Sequence, residues 1–146
     1  MQRTRARPRG SEAEQQAIAL VKQFIARINA HDPVGLGLLS LPGLRFIDAT
    51  GTRYSLGKPG WKRYFSTFPD YRMTVDGIVS DGTTVAIFGS ARGSFKGRGR
   101  RAAGAAWHLP VAWRARVRAG KVVEWQVYCD VEPMLQSSGR GRAPLA

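Results

Sequence analysis

The chain has 146 residues, 43% of them hydrophobic, and a formal net charge of +13. That is one domain of ordinary size, with enough apolar side chains for a core of its own. Its one cysteine, Cys129, excludes an internal disulfide and fits a reducing cytosol; no apolar run approaches the roughly 20 residues of a membrane span; and two histidines in no paired spacing give no metal-ligand pattern, so neither metal nor cofactor is expected.

The positive charge is unevenly spread. Arg3, Arg5, Arg7 and Arg9 crowd the first ten residues, Arg140 and Arg142 the last ones, and Lys96, Arg98, Arg100 and Arg101 one glycine-rich stretch. These segments carry ten positive charges and no acid, which leaves the body at about +3. Such segments attract polyanions weakly and in a salt-dependent way, so nucleic acid is not the expected partner. No apolar segment follows the basic start, so no secretory leader is expected there. Residues 1–10 read as a disordered basic tail, 11–135 as a single domain, and 136–146 as a flexible tail.

In chain order, Ser11-Glu-Ala-Glu14 is a capping box, in which the serine hydroxyl accepts an orphan backbone N–H and Glu14 reaches back. A helix follows to about Ala30, with Ala17, Ile18, Val21, Phe24, Ile25 and Ile28 as its apolar stripe. Asp32-Pro33 starts a second, short helix weakened by Gly35 and Gly37. Leu44 to Asp48 reads as a strand and Ala49 to Gly57 as a loop. Trp61, Tyr64, Phe65 and Phe68 form the stripe of a third helix, stopped by Pro69. Strands are expected from Asp70 to Val79 and from Thr84 to about Ser94, around a Ser80-Asp81-Gly82 turn.

The last long hairpin is the most regular part. Trp107 to Arg118 and Lys121 to Asp130 alternate apolar and polar residues around an Ala119-Gly120 turn, the period of strands buried on one face. That face carries tryptophans and no acid or base, so the chain reads as built around an apolar interior. The fold class is α+β: a curved antiparallel sheet forming a cone, with helices over its concave face.

The order of elements, and the words Phe24-Ile-Ala-Arg-Ile-Asn-Ala-His-Asp32, Phe46-Ile-Asp48, Tyr64-Phe-Ser-Thr-Phe-Pro-Asp-Tyr71 and Gly120-Lys-Val-Val-Glu-Trp-Gln-Val-Tyr-Cys-Asp130, resemble the nuclear transport factor two-like superfamily, and within it the SnoaL-like group. The resemblance spans about residues 12–135. It implies a cystatin-like cone with a deep pocket. Homodimers, often through the outer sheet face, are common in the superfamily; that face would here carry Arg114, Arg116, Glu124 and Gln126. It leaves the activity open, because relatives include isomerases, polyketide cyclases, epoxide hydrolases and binding modules.

Residue by residue, the steroid isomerase-like pattern puts its general base at Asp48. Phe24 replaces the tyrosine donor, and Ala112 or Trp113 stands where the second acid would be; Tyr54, His108 or the Trp113 N–H would have to substitute. The limonene epoxide hydrolase-like pattern loses its tyrosine to Phe46 and its last-strand aspartate to Val127, and has Asp48 in place of its asparagine. Val127 also weakens the cyclase pattern. Asp48 is the candidate catalytic residue, either as a base whose pKa is raised by apolar neighbours or as a strand-end carboxylate accepting backbone N–H groups in the Ala49–Thr52 turn. The expected ligand pocket comprises Phe24, Phe46, Tyr54, Trp61, Tyr64, Phe65, Trp113, Trp125, Val127 and Cys129, whose flat rings suit a polycyclic or terpenoid-like molecule if they do not simply fill the core. His31 and Asp32 are expected to cap the first helix, His108 to face outward, and Asp130 and Glu132 to make salt bridges. Three readings follow: an apolar-ligand protein with proton-transfer activity, a non-catalytic binding or dimerisation module of the same fold, and a polyanion binder acting through Gly97-Arg-Gly-Arg-Arg101.

Overall fold

The computed structural model describes residues 10–94 and 106–137. The arginine-bearing tails and the Lys96–Gly104 stretch lie outside them. The elements are α1 (Glu12–Asn29), α2 (Pro33–Leu39), β1 (Ser40–Ile47), β2 (Arg53–Ser55), α3 (Lys58–Thr67), β3 (Arg72–Ser80), β4 (Thr84–Ser94), β5 (Ala106–Arg118), β6 (Lys121–Tyr128) and α4 (Glu132–Ser137). The strands make one curved, unclosed sheet in the order β2-β1-β6-β5-β4-β3. Every pairing is antiparallel except β1 with β6, which run parallel. No described helix is long and apolar enough to cross a membrane.

The first helix forms as its sequence dictates. Ser11 Oγ accepts the Glu14 N–H at 3.2 Å and Glu14 Oε2 accepts the Ser11 N–H at 3.2 Å. Ala17, Val21, Phe24, Ile25 and Ile28 are buried on one stripe. The helix ends at His31, whose φ of +51° lies in the left-handed region. The His31 N–H bonds to Ile28 O, and the Asp32 N–H reaches back to Arg27 O, so two orphan carbonyls are satisfied. The His31 ring then stacks on Phe65, with centroids 4.6 Å apart, and its Nε2 lies 2.9 Å from Tyr71 O. Asp32 caps α2 through the Gly35 N–H at 2.9 Å.

Asn29, the last residue of α1, fixes the roof to the sheet. Its Nδ2 donates to Met73 O at 3.0 Å, and its Oδ1 accepts the Met73 N–H at 2.8 Å. The helix-covered face of the sheet supplies Trp107, Leu109, Val111, Trp113, Ala115 and Trp125, all buried. The Ala119-Gly120 turn has φ of +51° and +71°, the paired positive values of a tight hairpin whose twist matches its strands.

Three local departures have physical reasons. The stretch read as a loop, Ala49 to Gly57, contains β2, because Arg53–Ser55 fold back on Ile47–Arg45. The hairpin's alternation slips between Arg116 and Val117, a bulge that puts both Val122 and Glu124 in buried positions on opposite faces. Past the last strand, Asp130 Oδ1 accepts the Glu132 N–H at 2.9 Å and opens α4, a six-residue helix too short for a periodicity signal.

Candidate functional site

Strand β1 places Phe46 on the concave face beside Trp125, its partner across the parallel pairing. Tyr54 on β2 pairs with Phe46 from the other side, their rings 6.4 Å apart. Helix α3 lays Tyr64 opposite. Together with Ser55, Leu56, Gly60, Arg63 and Thr67, these three rings line a groove of about 320 Å³. Tyr54 is 50% exposed there, a large apolar ring open to solvent.

Asp48 ends the strand that carries Phe46. Its Oδ1 accepts the Thr50 hydroxyl at 2.6 Å, the Thr50 N–H at 2.9 Å and the Thr52 N–H at 3.0 Å. Its Oδ2 accepts the Tyr54 hydroxyl at 3.3 Å, which ties the carboxylate to the groove wall. Partial burial pushes the carboxyl pKa up, but the hydrogen bonds from Thr50, Thr52 and Tyr54 outweigh it, and the net shift is downward. That is the opposite of the rise expected from apolar neighbours. The group is an ionised, fixed carboxylate at neutral pH.

The other pocket candidates divide into two sets. Phe24, Trp61, Phe65, Trp113 and Trp125 are buried and pack on one another: Phe24 lies 4.9 Å from Trp125 and 5.9 Å from Trp61, and Trp61 stacks on Phe65 at 5.7 Å. They belong to the buried core, and none of them lines the groove, which takes only Phe46, Tyr54 and Tyr64 from the expected pocket. Val127 and Cys129 are half-buried against the same cluster. The Cys129 thiol pKa is raised by burial and by Asp130. His108 is exposed on the outer face, in register with Arg92.

The sequence reading missed Tyr71. It is buried, its ring meets that of Tyr64 at 5.2 Å and 80°, and the two hydroxyls hydrogen-bond. A signal existed: Tyr71 sits two residues before buried Met73, on the inward parity of β3. Burial drives the Tyr64 hydroxyl pKa well above its ordinary value, with the Tyr71 hydroxyl adding to it. Burial also pushes Tyr71 up to about 12, against the lowering effect of the Tyr64 hydroxyl. The neutral phenols favour the fold, so their stabilisation is whole below the unfolded tyrosine pKa of about 10 and is lost as pH climbs toward about 12. An ultraviolet titration should show two of the four tyrosines failing to ionise until the chain unfolds. Tyr64→Phe and Tyr71→Phe should each delete one silent tyrosine; if all four ionise together in the folded protein, the buried pair is misplaced.

On the outer face, Glu124 is buried under three arginines. Arg114 and Arg116 reach its Oε1 at 3.2 and 3.5 Å, and Arg45 its Oε2 at 3.4 Å. Among the described residues, the ion-pair partner of Arg45 is Glu124. Farther along, Phe88 and Tyr128 flank Ala112 in one cross-strand row and are 50% and 45% exposed.

A curved open sheet roofed by helices is the architecture of nuclear transport factor two-like proteins. The chain belongs to the SnoaL-like domain family, whose model matches residues 21–125. Among solved structures it is similar to a candidate SnoaL-like polyketide cyclase from Jannaschia (16% identity, 92% of this chain and 98% of that one, TM-score 0.74). It is also similar to IdmH, a candidate polyketide cyclase from Streptomyces antibioticus (26% identity, 86% and 99%, TM-score 0.68). A third similar structure is an epoxide hydrolase from M. tuberculosis of the limonene epoxide hydrolase-like type (18% identity, 88% and 92%, TM-score 0.70). No curated protein matches the chain.

Proposed function

We propose that the protein binds a small apolar, ring-bearing molecule in the groove between β2 and α3, and that Asp48 serves there as a base for proton transfer. One observation carries the reading: Phe46, Tyr54 and Tyr64 offer aromatic faces to a groove of about 320 Å³ whose wall residue Tyr54 is hydrogen-bonded to the Asp48 carboxylate. Aromatic walls favour flat apolar ligands, which lose water on stacking. The similarity to IdmH, a candidate polyketide cyclase, supports a polyketide-like ligand. An ionised carboxylate that accepts four hydrogen bonds is a weak base held in one position, and general-base catalysis asks first for position and then for basicity.

A suitable probe is 2-tetralone, a bicyclic ketone whose α-protons exchange with deuterium when a base removes them. NMR in deuterated water should show exchange accelerated by the protein. Asp48→Asn keeps an oxygen for the Thr50 and Thr52 N–H groups and should cut the acceleration on the order of a hundredfold, with affinity unchanged within about twofold. Binding without accelerated exchange would leave a non-catalytic binding module. Absence of binding at millimolar probe would end the ligand reading.

We assign a second copy of the chain to the outer sheet face, where Phe88 and Tyr128 lie exposed beside the Glu124–arginine cluster. Sedimentation should give twice the 16.0 kDa chain mass, and Phe88→Glu should return it to the monomer value; a wild-type monomer would refute the assignment.

A further inference from the structure

A second cavity adjoins the groove at Leu56, which lines both. It is a pit of about 170 Å³ between the α2–β1 junction and the start of α3. Gly37, Gly43 and Gly57 stand in its wall, so much of that wall is bare backbone. A Cβ built on Gly37 would meet nothing within 4 Å, as expected of a residue that borders open space. Among the described residues, Lys58 is the one charged group in the lining, and no carboxylate shares it. Trp61 is the one lining residue that is buried, at 3% exposure, so it forms the floor.

Two sets of hydrogen-bond donors meet this pit without acceptors in the protein. The first is the indole. Trp61 Nε1 is buried and has no partner, and Phe24, Phe46, Tyr64 and Phe65 pack around the ring without offering it one. Trp107 and Trp113 also bury an unpaired Nε1, but neither lines the pit or the groove. For Trp61 the pit is the side from which an acceptor can arrive. The second set is the first turn of α3. Its N-cap is Gly57, which has no side chain to accept an amide proton, whereas Ser11 caps α1 and Asp32 caps α2. A ten-residue helix left open in this way carries a partial positive charge at that end. The Lys58 ammonium adds a full one. Native interiors seldom leave buried donors unpaired. A buried N–H, an uncapped helix and a cation around one acid-free pit call for an anion from outside the chain.

We infer that the pit is a binding site for a carboxylate, the acid group of a small organic acid, held by the Trp61 indole N–H, the open first turn of α3 and Lys58. A single negative charge suits it. One lysine and a helix end worth about half a charge balance a carboxylate, and leave a phosphate dianion undercompensated. Two oxygens in one plane can serve the indole and the helix end together, which a chloride ion cannot. The pit needs neither a ring-bearing ligand nor Asp48, so it is independent of the activity proposed for the groove.

The test is an NMR titration of the full, isotope-labelled chain with sodium acetate, read at the Trp61 indole N–H, which is assigned through its own backbone. Sodium chloride at equal ionic strength and inorganic phosphate are the comparison probes. Acetate should move the Trp61 indole and the Lys58 and Gly60 amides along one saturating curve, with a Kd on the order of millimolar for so small a ligand. The indoles of Trp107 and Trp113 should stay still. Lys58→Ala changes an exposed residue and should weaken acetate about threefold. Gly57→Asp supplies a carboxylate from the chain itself, at a position where a Cβ meets only Pro59 Cδ at 3.7 Å, and keeps the helix capped. It should weaken added acetate about tenfold or more, since its own oxygens take the first-turn amides. A Trp61 indole that ignores acetate, or answers chloride equally, overturns the site. Tighter binding of phosphate than of acetate overturns the carboxylate assignment. Acetate binding unchanged in both variants overturns the roles given to α3 and Lys58.

Discussion

Gly89→Ala should be the most damaging single-methyl change in the protein, costing about 3 kcal/mol or more and lowering the melting temperature on the order of 10 °C. A Cβ built on Gly89 would sit 1.9 Å from the Thr74 carbonyl oxygen and 2.9 Å from its carbon. These are backbone atoms, which cannot swing aside as a side-chain tip does. The cause is a bulge. Val75 pairs with Gly89 and Gly77 with Phe88, so Asp76 is extra, and β3 bends over β4 at that point. Alanine would have to undo the bend or break the pairing. Gly37→Ala is the control: a Cβ there meets nothing within 4 Å, and in a helix it should stabilise slightly. Thermal melts followed by circular dichroism compare the two; a Gly89→Ala protein melting within about 2 °C of wild type, a shift worth well under 1 kcal/mol, would mean that β3 does not pass so close.

Asn29→Ala should cost about 2–3 kcal/mol, because it strips both hydrogen bonds from one backbone unit. The amide of Asn29 gives to Met73 O and takes from Met73 N–H, which is how a strand would satisfy that residue. Removing it loosens α1 over the sheet just where His31 stacks on Phe65 and where Tyr71 enters the interior. Asn29→Asp keeps the acceptor and loses the donor, so it should fall between. Hydrogen exchange at the Met73 amide reads the effect directly: protection should be lost in Asn29→Ala and largely kept in Asn29→Asp. Unchanged protection in the alanine variant would refute the bridge.

These two residues mark where the sequence was opaque. Whatever repeats is legible. The α1 stripe, the β5–β6 alternation and the Ala119-Gly120 turn each show in the order of residues, because a helix or strand with one buried face must repeat its chemistry. So were the outward parity of Arg114, Arg116 and Gln126 and the burial of Trp113 and Trp125. Contacts without a period left no such trace. Asn29 meets Met73 across 44 residues, Gly89 is needed only because a distant backbone passes over it, and the parallel β1–β6 pairing joins strands from opposite ends of the domain. The candidate site divides in the same way. Phe46, Asp48 and Tyr54 could be named, since they share one strand and its return, but whether Asp48 would be raised or lowered depended on three protons supplied by Thr50 and Thr52 and one by Tyr54. The Tyr64–Tyr71 contact joins a helix to the segment before β3 and likewise left no periodic trace.

The Asn29–Met73 bridge also bears on how copies of the chain can meet. Met73 pairs with Ala91 across the sheet, yet its own N–H and C=O point the other way, toward the unpaired margin of β3. An incoming extended peptide would dock on those groups, and Asn29 already occupies them. The Asp76 bulge interrupts the margin again, and at the opposite end of the sheet β2 offers only three residues. Among the described residues both margins are thus shortened as templates for strand-by-strand growth. Any pairing of copies would therefore have to use the broad faces of the sheet rather than its margins.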